Sequence, residues 1–204
     1  QGCDNRIAVV DYDAGNLKSV EKAIGFLDRP VKVTKDYDEI MNASHLILPG
    51  VGHFGDAVEN LRANNLDVAI LDYIKTKKPF LGICIGMQLL FEESEESPGV
   101  LGLGIIKGKI KKFPQKEGFK VPHMGWNTIS AKGRLFEGIV NNPYVYFVHS
   151  YYADAADGGV VSAKCSYIVD FAAAVEADNI FAVQFHPEKS SDVGLKILEN
   201  FLKL

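Results

Sequence analysis

Strand-length apolar runs alternate with helix-length amphipathic stretches through the first half of the chain, and that alternation leaves few folds open. Residues 6–12 (RIAVVDY) are apolar and β-branched, as a buried strand is. From residue 16 to 27, Leu17, Val20, Ala23, Ile24 and Leu27 recur at helical spacing and form one apolar stripe. Val31–Thr34 predicts a second strand and His45–Leu48 a third, which ends in Pro49-Gly50-Val51-Gly52. The spacing predicts a helix over 56–75. Residues 79–83 (PFLGI) predict a fourth strand, running into Cys84 and a helix through Met87, Leu90 and Phe91. Such alternation calls for right-handed crossovers and a parallel sheet covered on both faces.

After Pro98 the pattern changes. Residues 105–113 (IIKGKIKKF) alternate lysine with apolar side chains, as a half-exposed strand does. Residues 145–152, 160–166, 171–177 and 180–185 read as closely spaced strands, which favours antiparallel hairpins. The chain ends in an amphipathic helix carrying Val193, Ile197, Phe201 and Leu202. The expected fold is therefore a single-domain α/β open sheet over 6–204, with a parallel centre and added antiparallel strands. Residues 1–5 are expected to be a polar N-terminal extension or a cloning remnant, without the apolar core of a signal peptide. At 204 residues the length suits one domain.

Composition narrows the function classes. The net charge is −4 with no basic stripe, which argues against a nucleic-acid partner. Three scattered cysteines and no CxxC pair argue against a disulfide framework or zinc knuckle and for a reducing, cytoplasmic setting. No apolar run reaches membrane length. No cluster suggests a metal or an organic cofactor.

Gly82-Ile83-Cys84-Ile85-Gly86 has the form glycine, any residue, nucleophile, any residue, glycine, between a predicted strand and a predicted helix. A sharp turn there lifts the thiol out at the carboxyl end of the sheet, and the flanking glycines let neighbouring chain approach. The helix N-terminus favours the thiolate, and the Ile85 N–H would face a developing oxyanion. Taken alone, Cys84 also fits a small buried residue at a tight turn. A thiolate nucleophile needs a base, and five histidines are available: His45, His53, His123, His149 and His186. His186 ends an apolar run and precedes Pro187-Glu188, so a stiff turn could aim the carboxylate back at the imidazole. His149 is a rival base, a core histidine or a substrate contact. Spacing alone does not choose among them. Pro49-Gly50-Val51-Gly52 lacks the lysine of a P-loop, so it is either an oxyanion loop or a plain strand-to-helix turn.

Together these residues resemble a class I glutamine amidotransferase with a Cys-His-Glu triad. Residues 49–55 (PGVGHFG), 86–91 (GMQLLF), 123–127 (HMGWN), 146–151 (YFVHSY) and 186–190 (HPEKS) are similar, in this order, to the glutaminase subunits of imidazole glycerol phosphate synthase. The resemblance implies a flavodoxin-like sheet and a catalytic triad of Cys84, His186 and Glu188. It implies an oxyanion region at Gly50, Val51, Gly52 and Ile85, and glutamine-holding positions at Gln88, Ser150 and Tyr151. It also implies a (β/α)8-barrel cyclase as partner, faced by Asn16, Met124, Trp126 and Lys189. Ammonia would pass to that partner for histidine biosynthesis. The competing functions are a subunit feeding ammonia to another synthase, a stand-alone thiol hydrolase, and a catalytically inert binding protein.

Overall fold

In the computed structural model, which describes residues 6–14 and 17–204, each apolar run of the first half becomes a strand. β1 (Ile7–Val10) leads to α1 (Lys18–Phe26), β2 (Val31–Thr34), α2 (Tyr37–Asn42) and β3 (His45–Leu48). α3 (Phe54–Ala63) and α4 (Leu66–Lys75) follow, then β4 (Phe80–Ile83) and the single-turn α5 (Ile85–Gln88). Every residue of β1, β3 and β4 is buried, because helices cover both faces of the parallel sheet. Ile7, Val9, Ile47 and Leu81 pack with Val20 and Ile24 of α1 on one face. Ala8, Val10, Leu46 and Phe80 pack with Ile40, Val58 and Ile70 on the other. Burying each large aliphatic side chain stabilises the fold by about 1.5–3 kcal/mol.

The helix predicted over 56–75 is two helices. Asn65 adopts the left-handed conformation (φ 54°), and the Asn64 amide donates back to the Asn60 carbonyl at 2.8 Å. Leu61 and Leu66 are both buried, so the apolar stripe runs across the break and conceals it in the sequence.

The second half forms β5 (Glu93–Ser94), β6 (Gly108–Lys112), β7 (His123–Thr128), β8 (Ser130–Ala131), β9 (Tyr144–His149) and β10 (Tyr151–Ala155). β11 (Val161–Tyr167), β12 (Val169–Ala177), β13 (Ile180–Val183) and α6 (Ser191–Leu202) complete it. The main sheet runs β2-β1-β3-β4-β13-β12-β10-β6-β5, with β11 on β12 and β8 on β11. Its members from β2 to β13 pair in parallel, and β12, β10 and β6 extend it antiparallel. The expected parallel centre with antiparallel additions is the observed architecture.

Residues 145–152 are not one strand. The chain breaks at Ser150, so β9 pairs with β7 in a separate two-stranded ribbon while β10 joins the main sheet. β7 was not expected; His123-Met124-Gly125-Trp126-Asn127 shows no alternation of apolar and polar residues. β13 is the strand that positions the site. Val183 pairs with Ile83, so the residues that follow β13 emerge beside Cys84.

Candidate active site

Cys84 sits at the carboxyl end of β4 with φ 55° and ψ −112°, a conformation that L-residues avoid. Its N–H is held by the Val183 carbonyl at 2.8 Å. The flanking glycines are needed for space. A Cβ on Gly82 would lie 2.7 Å from the Gly86 carbonyl oxygen, and one on Gly86 would lie 1.8 Å from the Leu48 carbonyl oxygen. The helix that follows is only one turn, so individual N–H groups rather than a long summed dipole face the thiol.

His186 emerges three residues beyond β13. Its Nδ1 and Glu188 Oε1 are 2.6 Å apart, and both side chains are nearly inaccessible to solvent. Pro187 begins the 3-10 turn Pro187–Lys189 that folds Glu188 back. The His186 carbonyl accepts from Ser190 Oγ, and its N–H donates to the Tyr146 carbonyl, so the ring has a fixed base. Burial opposes a charge on this imidazole. The Cys84 thiol and the Glu188 carboxylate outweigh it and push the group up to about 10. Nε2 is buried and forms no hydrogen bond of good geometry with the described residues, even though Cys84 is near enough to favour the imidazolium.

The other histidines are committed elsewhere. His45 begins β3, far along the strand from Leu48, and contacts Ser44 Oγ and the Leu204 carbonyl. His53 is exposed, with Ser97 Oγ at 3.4 Å. His123 and His149 bond each other across the β7–β9 ribbon. Cys165 is buried in β11, and burial pushes its thiol up to about 12.

Two of the four positions expected to serve an oxyanion spend their N–H groups on other carbonyls. The Ile85 N–H donates to the Gly50 carbonyl at 3.3 Å, and the Val51 N–H donates to the Ala14 carbonyl at 3.1 Å. Gly50 (φ 156°) and Gly52 (φ 109°) adopt conformations suited to glycine. Tyr12 Oη donates to the Pro49 carbonyl at 2.5 Å and anchors the start of this loop.

A cleft of about 280 Å³ opens beside the thiol, at the small end for a ligand site. Cys84, Ile85, Gln88, Val51, Ser150 and Tyr151 line it, so stretches far apart in sequence meet there. His186 and Glu188 instead line a hollow of about 90 Å³ behind the Gly50–Val51 peptide. Two contributors were not anticipated. Glu96 lines the cleft and accepts from the Phe54 N–H at 2.6 Å. Gln184, fully buried after β13, donates from Nε2 to Cys84 Sγ at 3.7 Å.

Over residues 8–204 the chain matches the family model described as glutamine amidotransferase class-I. It belongs to that family. Imidazole glycerol phosphate synthase subunit HisH 1 of Methanococcus maripaludis is 48% identical over 203 residues, covering 97% of this chain and 99% of that protein. The HisH subunit of Methanocaldococcus jannaschii is 49% identical over 200 residues, with the same two coverages of 97% and 99%. A crystal structure of a glutamine amidotransferase matches with a TM-score of 0.75 at 18% identity, covering 95% of this chain and 98% of that one. PurLQS from Thermotoga maritima matches with a TM-score of 0.75 at 19% identity, covering 97% of each chain. At such identities the structural likeness is one of fold.

Of the positions expected to face a partner, this amidotransferase exposes Met124 (63%) and Trp126 (53%) on the outer face of β7, and Lys189 is exposed beside Glu188. Asn16 lies outside the described residues. Among the described residues, no helix is long and apolar enough to cross a membrane.

Proposed function

We propose that residues 6–204 form the glutaminase domain of an imidazole glycerol phosphate synthase, working in the cytoplasm and passing ammonia to a (β/α)8 cyclase subunit. The observation that carries the catalytic part is the buried 2.6 Å His186–Glu188 pair beside a cysteine on a strained strand-to-helix turn. The near-full-length identity to HisH subunits supports the choice of synthase.

The chemistry follows from the roles. His186 Nε2 takes the Cys84 proton, and the sulfur bonds to the side-chain amide carbon of glutamine. The amide oxygen becomes an oxyanion. As it collapses, the carbon–nitrogen bond breaks and His186 returns the proton to the leaving nitrogen, releasing ammonia. Water then gives a proton to His186 and attacks the thioester; glutamate leaves and Cys84 regains its proton. Glu188 fixes the Nδ1–H tautomer throughout. Gln88 and Tyr151 border the space for the substrate, and the Glu96 carboxylate suits an α-ammonium group.

The oxyanion step is where control acts. With the Ile85 N–H spent on the Gly50 carbonyl, a developing oxyanion lacks a donor, which costs about 3 kcal/mol of barrier. Rotation of the Gly50–Val51 peptide would remove that carbonyl and supply an N–H in its place. Met124, Trp126 and Lys189, with Asn16, are the positions we assign to the cyclase face. Sealing that face keeps ammonia unprotonated until it reacts. The test is acid quenching during turnover with the cyclase present, followed by peptide mass analysis. A γ-glutamyl group on the Cys84 peptide is expected. Its absence, with no glutamate released, would refute the reading.

A further inference from the structure

Two buried histidines outside the triad, His123 and His149, form a hydrogen-bond chain whose direction is fixed at both ends. They are cross-strand neighbours in the β7–β9 ribbon. At one end His149 Nδ1 is 2.8 Å from the Tyr151 carbonyl, which can only accept. His149 is therefore the Nδ1–H tautomer, and its Nε2 must accept from His123 Nδ1 at 3.0 Å. His123 Nε2 must then accept from Asn127 Nδ2 at 3.2 Å. The Asn127 amide is oriented independently, because its Oδ1 accepts from the Thr128 N–H at 2.8 Å. A second proton on either ring would set two donors against each other.

The Tyr151 carbonyl also receives Gln88 Nε2 at 3.2 Å. Gln88 Nε2 donates in turn to Gln184 Oε1 at 3.0 Å, so Gln184 presents its NH2 to Cys84 Sγ. Gln88 Oε1 is left buried with no partner among the described residues. An unpaired buried acceptor costs about 1–3 kcal/mol, a cost that a donor on a bound ligand would remove.

We propose that His123 and His149 are positioning residues, which lock the Tyr151 carbonyl and thereby set the polarity of Gln88 and Gln184. Gln88 then offers an oxygen to the substrate, and Gln184 offers a hydrogen to the sulfur. This rests on the glutaminase reading. Burial supports it by holding both rings neutral, pushing His149 down to about 3 and His123 to about 4. A neutral His149 sits among Phe113, Phe147 and Phe171, so a phenylalanine fits the same space.

The test uses the full chain with Cys84→Ala, which binds glutamine without turning it over, and isothermal titration with glutamine. Adding His149→Phe should weaken binding about 10-fold, the worth of one buried hydrogen bond. Adding His149→Asn keeps a donor at the Nδ1 position and should restore affinity to within about 3-fold. Equal affinity in the phenylalanine and parent chains, or no rescue by asparagine, would overturn the proposal. Absence of glutamine binding by the Cys84→Ala chain would overturn the glutaminase reading, and the proposal with it. Nitrogen-15 shifts of the unsubstituted protein give a readout that needs no variant to fold. Both rings should be neutral Nδ1–H tautomers at pH 6, and an Nε2–H tautomer in either would overturn the chain.

Discussion

Gly86, two residues after Cys84, offers a sharp test of how the site is built. In Gly86→Ala the new Cβ would lie 1.8 Å from the Leu48 carbonyl oxygen and 2.8 Å from its carbon. A carbon–oxygen contact relaxes only beyond about 3.3 Å, so α5 and β3 must separate by about 1.5 Å. Both atoms belong to backbone in the centre of the sheet, and neither can rotate away. Overpacking of this kind costs about 3 kcal/mol, the upper end of the usual range. For a chain of this length that is a fall of about 6–12 °C in Tm. Displacing Cys84, the proposed nucleophile, by an ångström should cost about 100-fold in rate. Differential scanning calorimetry and partner-activated glutamate release measure the two effects. Gly25→Ala is the control: no atom of the described residues lies within 4 Å of the methyl it adds to α1, so helix propensity should raise stability by up to about 1 kcal/mol. A Gly86→Ala protein that melts within about 2 °C of the parent, with full activity, would refute the packing argument.

Other outcomes follow from the same geometry. His149 is held neutral, down at about 3 against an ordinary value of 6.5. The unfolded chain therefore binds the extra proton, and the stability this group contributes is present above pH 6.5 and lost as pH falls toward 3. Between pH 7 and 5, urea unfolding should show the parent losing about 2 kcal/mol more than His149→Phe; equal losses would contradict it. His186 runs the other way. Its raised value means the imidazolium stabilises the fold below 6.5 and is lost as pH rises toward 10. Glu188→Gln removes one cause of that rise, so the ring should titrate lower by NMR; an unmoved titration would contradict the pairing. Asn65→Val should cost about 1–2 kcal/mol in urea unfolding, because a β-branched residue resists the left-handed conformation between α3 and α4.

The parallel core was legible because β1, β3 and β4 are buried on both faces and read as largely apolar runs. Val31–Thr34 and His45–Leu48 were placed to the residue. The glycines around Cys84 were legible too, since no other residue fits those contacts. Gln184 was hidden inside an apolar run, where nothing in the sequence says that its amide turns to the sulfur. Glu96 lies in the acidic stretch Glu92-Glu93-Ser94-Glu95-Glu96, and only the fold distinguishes the carboxylate that lines the cleft. The His123–His149 pair depends on strand pairing across twenty-five intervening residues, which periodicity does not encode. The engaged state of the Ile85 N–H is a matter of peptide orientation, which glycine leaves open.

Glutamate release from glutamine is the most direct test, measured for the parent chain and Cys84→Ala, alone and with a cyclase subunit plus its nucleotide. The chain alone should be slow, and both partners together should raise the rate by about 100-fold or more, the worth of one restored oxyanion donor. Cys84→Ala should abolish it. Equal rates with and without the cyclase and nucleotide, or activity that survives Cys84→Ala, would contradict a partner-gated thiol glutaminase.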